Sequence, residues 1–424
     1  MHHFEFRGGK LFAEDVPIEK IAAEVGTPFY CYSSATLVRH YQVFKSAFEG
    51  VDSLVAFAVK ANSNVAVLKT LADLGAGMDV VSEGELRRAR AAGVPGSRIL
   101  FSGVGKTEGE QAYALGEEIL CFNVESLPEL AQLSRVAGEV GKTARVSLRI
   151  NPDVDAKTHS KISTGKAENK FGIAWQDARK AYAEAASLPN IKVTGIDLHI
   201  GSQITDLEPF DSAFSRLGDL VRDLRSDGHG IEHVDLGGGL GIPYVVDNDP
   251  PPHPDAYAEV VKKHVSRLDC QVIFEPGRLI AGNAGILVTK VVYVKHGQAK
   301  NFVIVDAAMN DLIRPTLYEA FHEIGPVNEP DVNAPRIKAD VVGPVCETGD
   351  YLGQNRDLPE VHAGEMLAVY SAGAYGATQS STYNSRLLIP EVLVKDGEFA
   401  VIRERQTYEE LLGLDKVPDW FTSS

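Results

Sequence analysis

Residues 54–64 read LVAFAVKANSN, an apolar, strand-prone run that delivers a lysine, Lys60, at its C-terminal end. A run of this length bounded by polar residues reads as a buried strand, and a fully buried strand needs neighbours of the same kind. Similar runs occur at 78–81 (MDVV), 98–102 (RILFS), 118–122 (EILCF), 144–150 (ARVSLRI), 193–199 (VTGIDLH), 232–236 (EHVDL) and 271–275 (QVIFE), giving eight strand candidates together with 54–59. Helical patterns separate them. Ser82 with Glu85 and Ser126 with Glu129 fit reciprocal capping boxes, and Pro128 sits where a first helical turn tolerates its missing donor. Eight strand–helix alternations over about 225 residues have the size and order of a (β/α)8 barrel, with a doubly wound open sheet as the alternative.

Beyond residue 280 the pattern changes. ILVTKVVYVK, NFVIVDA, MLAVYSAG and RLLIPEVLVK follow one another without long helices between them, as in an antiparallel β domain. FEFRGGKLFA at 4–13 reads as a hairpin that joins it. The expected organisation is an N-terminal segment over 1–32 that completes the β domain, a barrel over 33–280 and a C-terminal antiparallel β domain over 281–424. DNDPPPHPD at 247–255 is a Pro-rich loop of unassigned role.

Composition narrows the partners. The 44% apolar and 24% charged residues are those of a soluble globular protein, and the net charge of −16 argues against nucleic acid and acidic membranes, leaving a small molecule as the default ligand. The opening MHHFEFRGG lacks the basic and apolar regions of a secretory signal, so a cytoplasmic location is expected. Cys31, Cys121, Cys270 and Cys346 are scattered and form neither a disulfide framework nor a metal-ligand pattern. The first three read as buried core thiols.

In a (β/α)8 barrel, residues just after the strands converge on one mouth, and here those positions are polar: Lys60, Asn123, Asn151, His199, Gly237-Gly238-Gly239, and Glu275 with Arg278. Lys60 alone reads as a lysine that snorkels to solvent along its aliphatic stem. In a partly apolar mouth, desolvation favours the neutral amine, the form that makes a Schiff base with a carbonyl. DLGGGLGIPY at 235–244 offers backbone amides to an anion, or simply a tight turn; a dinucleotide fingerprint fails because Ile242 stands where a glycine is required. Lysine, glycine loop and the carboxylate of EPGR at 275–278 together suggest pyridoxal 5'-phosphate. Lys60 would hold the aldehyde, the glycine loop the phosphate, and Glu275 the ring nitrogen, keeping it protonated as an electron sink.

These residues resemble the diaminopimelate decarboxylases, in the fold-type III group of pyridoxal-phosphate enzymes that includes alanine racemases and eukaryotic ornithine decarboxylases. The resemblance runs along essentially the whole chain, through FAVKAN, NPDVDAKTHSKISTGKAENKFGI at 151–173, HIGSQ at 199–203, DLGGGLGI, EPGR, LIRPTLYEAFHEI at 312–324, CETGD at 346–350 and SAGAYG at 371–376. It implies decarboxylation of meso-2,6-diaminopimelate to L-lysine, the last step of bacterial lysine biosynthesis. By the same resemblance Lys60 is the Schiff-base lysine and His199 stacks on the ring. Ser202 and Gly239 lie near the phosphate, and Glu275, Pro276, Gly277 and Arg278 line the cofactor. Arg278, Arg314 and Tyr318 grip substrate carboxylates and the distal end, Glu347 binds the remote amine, Cys346 donates a proton, and Tyr375 touches cofactor and substrate. The family's enzymes are homodimers with sites at the interface, the cysteine loop coming from the partner chain.

Thr348 stands where the family pattern carries serine, which keeps the hydroxyl. Taken singly, His199 reads as a core histidine, Tyr375 as a packing tyrosine, Cys346 as a buried thiol, and Glu347 with Asp350 as a solvated acidic turn. A decarboxylase for ornithine, arginine or carboxynorspermidine would share the cofactor motifs and differ at the distal pocket. A non-catalytic homologue that keeps the fold is the alternative from another class, and intact Lys60, Glu275 and Cys346 argue against it.

Overall fold

A computed structural model describes residues 2–156, 158–162, 164–165, 169–245 and 250–421. Residues 247–249 of the Pro-rich segment, and 157, 163 and 166–168 of the 151–173 motif, lie outside the described residues. The chain divides into two compact units, one formed by Thr36–Gly282 and the other by Met1–Ala35 with Asn283–Ser424. Among the described residues no helix is long and apolar enough to cross a membrane.

Eight parallel strands close the first unit into a barrel: Ser53–Ala58, Gly77–Val80, Ile99–Phe101, Cys121–Val124, Ala144–Asn151, Ile191–Asp197, His233–Asp235 and Gln271–Phe274, called strands one to eight below. Strand eight pairs with strand one and strand four with strand five, so no edge is left open. Alternation along each strand sends every second side chain inward. The pairings Ala58↔Asp79, Asp79↔Leu100, Asn123↔Ser147, Arg149↔Asp197 and Asp235↔Ile273 place these side chains on one shared interior face. Leu54, Ala56, Leu100 and Ile273 pack together as its apolar part.

The observed elements correct the sequence reading in detail. Strand four begins three residues later than expected, because Glu118 turns into the left-handed region after the helix Glu108–Gly116 and the Leu120 amide is spent on Gly96 and Ile99. Strand one ends at Ala58, and Lys60 belongs to a short 3-10 turn, Val59–Ala61. Ser82 and Ser126 accept from the amides of Glu85 and Glu129, but the carboxylates reach back one residue further, to the amides of Val81 and Glu125. Fully reciprocal boxes occur instead at Thr107/Glu110 and Thr407/Glu410.

In the second unit the hairpin Phe4–Arg7/Lys10–Ala13 forms, but it adds Val16–Pro17 and makes a three-stranded sheet of its own. The segment that enters the large sheet is Phe29–Ser33, which the sequence reading passed over. Every residue of FYCYS is buried, and it lies between Gly285–Lys295, antiparallel, and Glu391–Lys395, parallel. Asn301–Val305 also runs parallel to Arg336–Val342, so the sheet is mixed rather than purely antiparallel. Phe4, Leu11, Ile18, Phe29, Ile286 and Val392 share one core, and an antiparallel bridge Lys10↔Asn328, with Leu11 N donating to Val327 O at 2.9 Å and Glu329 N to Gly9 O at 2.8 Å, ties the hairpin to the chain just after Ile324–Pro326 of the large sheet.

Candidate active site

Lys60 is presented by a turn fixed on both sides. After it, Asn62 Oδ1 accepts from the Asn64 amide at 3.1 Å, and the Asn64 side chain caps the helix Val65–Ala72 through the Ala66 amide at 3.0 Å. Beside it, Gly277 fits against the turn so closely that a Cβ there would stand 2.9 Å from Ala61 Cβ, and the Ala58 amide donates to Pro276 O at 3.2 Å. Lys60 Nζ donates to Asp79 Oδ2 at 3.1 Å; the lysine side chain is 38% exposed and the aspartate fully buried. Lys60 is thus part-exposed and paired with a buried carboxylate rather than desolvated as the sequence led one to expect, and Asp79 was the residue not singled out. Its signal was an acid inside the buried run MDVV.

The barrel interior below Lys60 is acidic. Burial first, then the neighbouring charges of Asp235, Asp79 and Asp197, push the Glu275 carboxyl well above the usual range, with Lys60 opposing. Burial likewise raises Asp235 to about 6 and Asp197 well above its ordinary value. Burial works against the charge of Arg149, but Glu125, Asp197 and Glu275 more than restore it; its Nη1 donates to Glu125 Oε1 at 2.8 Å. His199 follows strand six. Burial and the cations Arg149 and Lys60 hold its pKa well below 6.5, so its ring is neutral at physiological pH. Its Nδ1 accepts from the Gly238 amide at 3.2 Å, which places the proton on Nε2.

The glycine loop has structural reasons of its own. Gly237 has φ +63° and leaves room for His199, while a Cβ on Gly239, at φ +112°, would stand 2.6 Å from Gly201 O. Gln203, itself left-handed, clamps the loop from below: its Nε2 donates to Ile242 O at 2.7 Å and its Oε1 accepts from the Ile242 amide at 3.2 Å. Arg278 donates to Ser202 Oγ at 3.0 Å and Tyr244 Oη at 2.6 Å. The donor set at this mouth fits pyridoxal phosphate: cations and hydroxyls for a phosphate, an amine for an aldehyde, a neutral imidazole for a ring face and an acid for a ring nitrogen.

The second unit gathers the other residues. Arg314 is buried, and its Nε donates to His322 Nε2 at 3.2 Å. His322 Nδ1 is 2.9 Å from Tyr370 O, which makes Nδ1 the protonated nitrogen and Nε2 the acceptor. Tyr318 lies under the Arg314 guanidinium at 5.9 Å and accepts from Gln379 Nε2 at 3.4 Å. Thr316 Oγ1 donates to Gly349 O at 2.6 Å, tying the helix Arg314–Tyr318 to the CETGD loop. Asp350 is no solvated charge. It is buried and accepts from the amides of Met309 at 2.7 Å and Val345 at 2.6 Å, pinning the loop from beneath. The loop holds Cys346 and Glu347 outward, with Tyr383 Oη donating to Glu347 Oε2 at 2.9 Å. Cys346 is exposed, not buried as its residue type alone suggests. Cys270 is half-buried, in the turn before strand eight, whereas Cys31 and Cys121 are buried as expected. Tyr375 is half-buried at φ +56°, a strained backbone for an aromatic residue.

A closed parallel barrel with this lysine, glycine loop and buried acid defines a pyridoxal-phosphate-dependent enzyme of the barrel type. Residues 34–282 match the family model for the pyridoxal-dependent decarboxylase, pyridoxal binding domain. The chain is 50% identical to diaminopimelate decarboxylase of Zymomonas mobilis over 98% of its own length and 99% of that protein's. Solved diaminopimelate decarboxylases from M. jannaschii and, in complex with L-lysine, Helicobacter pylori superpose with TM-scores of 0.93 and 0.89, at 38% and 40% identity, covering 98% and 94% of this chain and 98% of each of theirs. The chain belongs to the diaminopimelate decarboxylase family, and its cofactor is pyridoxal phosphate.

Proposed function

We propose that this chain is a carboxy-lyase that converts meso-2,6-diaminopimelate to L-lysine and CO2. The observation that carries the reading is the Lys60 turn above an acidic barrel interior, in a chain matched over nearly its whole length by diaminopimelate decarboxylases. Bound pyridoxal phosphate supplies the electron sink for the carbanion left by departing CO2. Lys60 Nζ anchors it, Asp79 holding the amine in place beforehand. Ser202 and Gly239 would lie near its phosphate, Pro276, Gly277 and Arg278 would line it, His199 would support its face and Glu275 would meet its ring nitrogen.

The substrate carries an amine and a carboxylate at each end, so the end that does not react needs both a cation and an anion from the protein. Arg314, oriented by His322, takes the distal carboxylate, and Glu347 takes the distal amine. Arg278, Tyr318 and Tyr375 complete the grip. Cys346 Sγ delivers the proton to the carbon that CO2 leaves. An exposed thiol would trade its proton with water, and shielding by a second copy of the chain is what this role needs. The reading is accordingly of a cytoplasmic homodimer with Cys346 acting across the interface.

The test is a decarboxylation assay offering meso-diaminopimelate, ornithine, arginine and carboxynorspermidine in parallel, with Lys60→Ala as control. Release of CO2 and L-lysine from diaminopimelate alone, lost with the visible cofactor band in Lys60→Ala, is expected. Comparable release from ornithine or arginine would refute the substrate assignment, and a protein that stays colourless with added pyridoxal phosphate would refute the whole reading.

A further inference from the structure

Beneath the mouth, the barrel holds more acid than its cations neutralise. Around Glu275 stand Asp79 from strand two, Asp197 from strand six and Asp235 from strand seven, with Lys60 after strand one and Arg149 from strand five, the latter tied to Glu125. Among the described residues these are five carboxyls against two cations, and Glu85, beside Asp79 and Lys60, adds a further acid. A water-poor interior does not carry that excess, so protons stay on the group.

The hydrogen bonds say where one of them sits. Asp235 has two fixed donors, the Gly237 amide on Oδ1 at 2.9 Å and Asn123 Nδ2 on Oδ2 at 3.2 Å. Among the described residues Glu275 Oε1 has longer contacts, Asn123 Nδ2 at 3.4 Å and Ser102 Oγ at 3.3 Å. Asn123 Nδ2 thus faces both carboxyls, Asp235 Oδ2 at 3.2 Å and Glu275 Oε1 at 3.4 Å, and brings them side by side. Fixed donors favour the ionised acid, so of the pair Asp235 is the acceptor and Glu275 the donor. Burial raises both carboxyls, Asp235 to about 6 and Glu275 well above its ordinary value.

We propose that Asp235 is a positioning residue for Glu275: its carboxylate, fixed by Gly237 and Asn123, accepts the acid proton of Glu275 and keeps that side chain aimed into the site as a neutral acid until a cationic ring nitrogen becomes its partner. This rests on the assignment of Glu275 to the ring nitrogen made above. The proton balance is explicit. Docking a protonated ring nitrogen breaks the Glu275 O–H bond and sends the proton to solvent; docking a neutral one moves it to that nitrogen. In Asp235→Asn the like charge is gone and an amide donor replaces it, so Glu275 is ionised before the cofactor arrives. The variant therefore releases fewer protons on loading whichever form of the cofactor binds.

The experiment loads wild-type and Asp235→Asn apoenzyme with pyridoxal phosphate near pH 7, calorimetrically, in buffers of different ionisation heat. The wild type is expected to release about one more proton per site than the variant, the difference left when all shared steps cancel. Equal proton counts overturn the proposal. Infrared difference spectra of the wild type alone give a second readout that survives a variant unable to fold: the carbonyl stretch of a buried neutral carboxylic acid should be present before loading and vanish on it. Its absence from the apoenzyme also overturns the proposal. Failure of the wild type to bind pyridoxal phosphate would count instead against the functional reading.

Discussion

Gly237→Ala joins backbone strain to the geometry of the site. The residue adopts φ +63°, where an L side chain costs about 1 kcal/mol or more relative to glycine. The new Cβ would stand 2.5 Å from His199 Nδ1 and 3.0 Å from both His199 Cβ and Leu198 O. The backbone oxygen cannot yield, and the imidazole can yield only by giving up the Gly238 amide at 3.2 Å. Overpacking of this kind costs about 1–3 kcal/mol, and the lost bond is included in it. A more constrained unfolded chain returns up to about 1 kcal/mol, leaving a net loss of about 1–4 kcal/mol. Denaturant unfolding of the apoenzyme reads that loss directly. Because His199 moves, pyridoxal phosphate should also bind about tenfold or more weakly by absorbance titration, the equivalent of 1.4 kcal/mol. Wild-type stability together with wild-type cofactor affinity would refute the reasoning.

Cys346→Ala should keep the cofactor band and substrate affinity while turnover falls about 10²-fold or more, the usual range for a positioned proton donor; undiminished release of CO2 and lysine would remove the thiol from the mechanism. Arg314→Ala should impair diaminopimelate selectively, and equal loss toward a substrate without the distal carboxylate would contradict its role. His322→Ala leaves the buried Arg314 Nε and Tyr370 O short of a partner, costing about 1–3 kcal/mol in unfolding experiments and raising KM more than it lowers kcat. His233 is buried, and burial lowers its pKa from 6.5 to about 4. The unfolded chain therefore binds the extra proton first: stability is intact above about pH 6.5 and declines toward pH 4, by about 3 kcal/mol in full. His233→Gln should flatten that acid limb in urea titrations, and an unchanged limb would show that other groups produce it.

The barrel was legible because each strand is a short buried run, and burial on both faces leaves a sequence few alternatives to apolar residues. Strand four slipped because EILCF looks continuous, whereas the left-handed Glu118 that ends the preceding helix leaves no mark in residue type. Phe29–Ser33 was missed although FYCYS is as strand-prone as any barrel run; it precedes the first alternation, and its partners lie more than 250 residues away. Strand-end position and chemistry are what picked out Lys60, Glu275 and Gly239. Asp79, Asn123 and Asp235 lay in plain view as polar residues inside strands, but what they do depends on which strands face one another across the barrel. Whether Cys346 is exposed could not be read from type, because Asp350 decides it by pinning the loop from below.

The position of Phe29–Ser33 in the middle of the large sheet also bears on how the chain is made. One of its two partner strands, Glu391–Lys395, is synthesised about 360 residues later, which at 5–20 residues per second is roughly 20–70 s. The barrel has no such wait, since all its strands lie within Ser53–Phe274 and are available first. A nascent chain thus carries a folded barrel while an aromatic strand near its start still lacks a flank. Ribosomes that stop before Glu391 leave that strand with an open edge, and truncated products should be recovered as aggregates rather than as a soluble barrel.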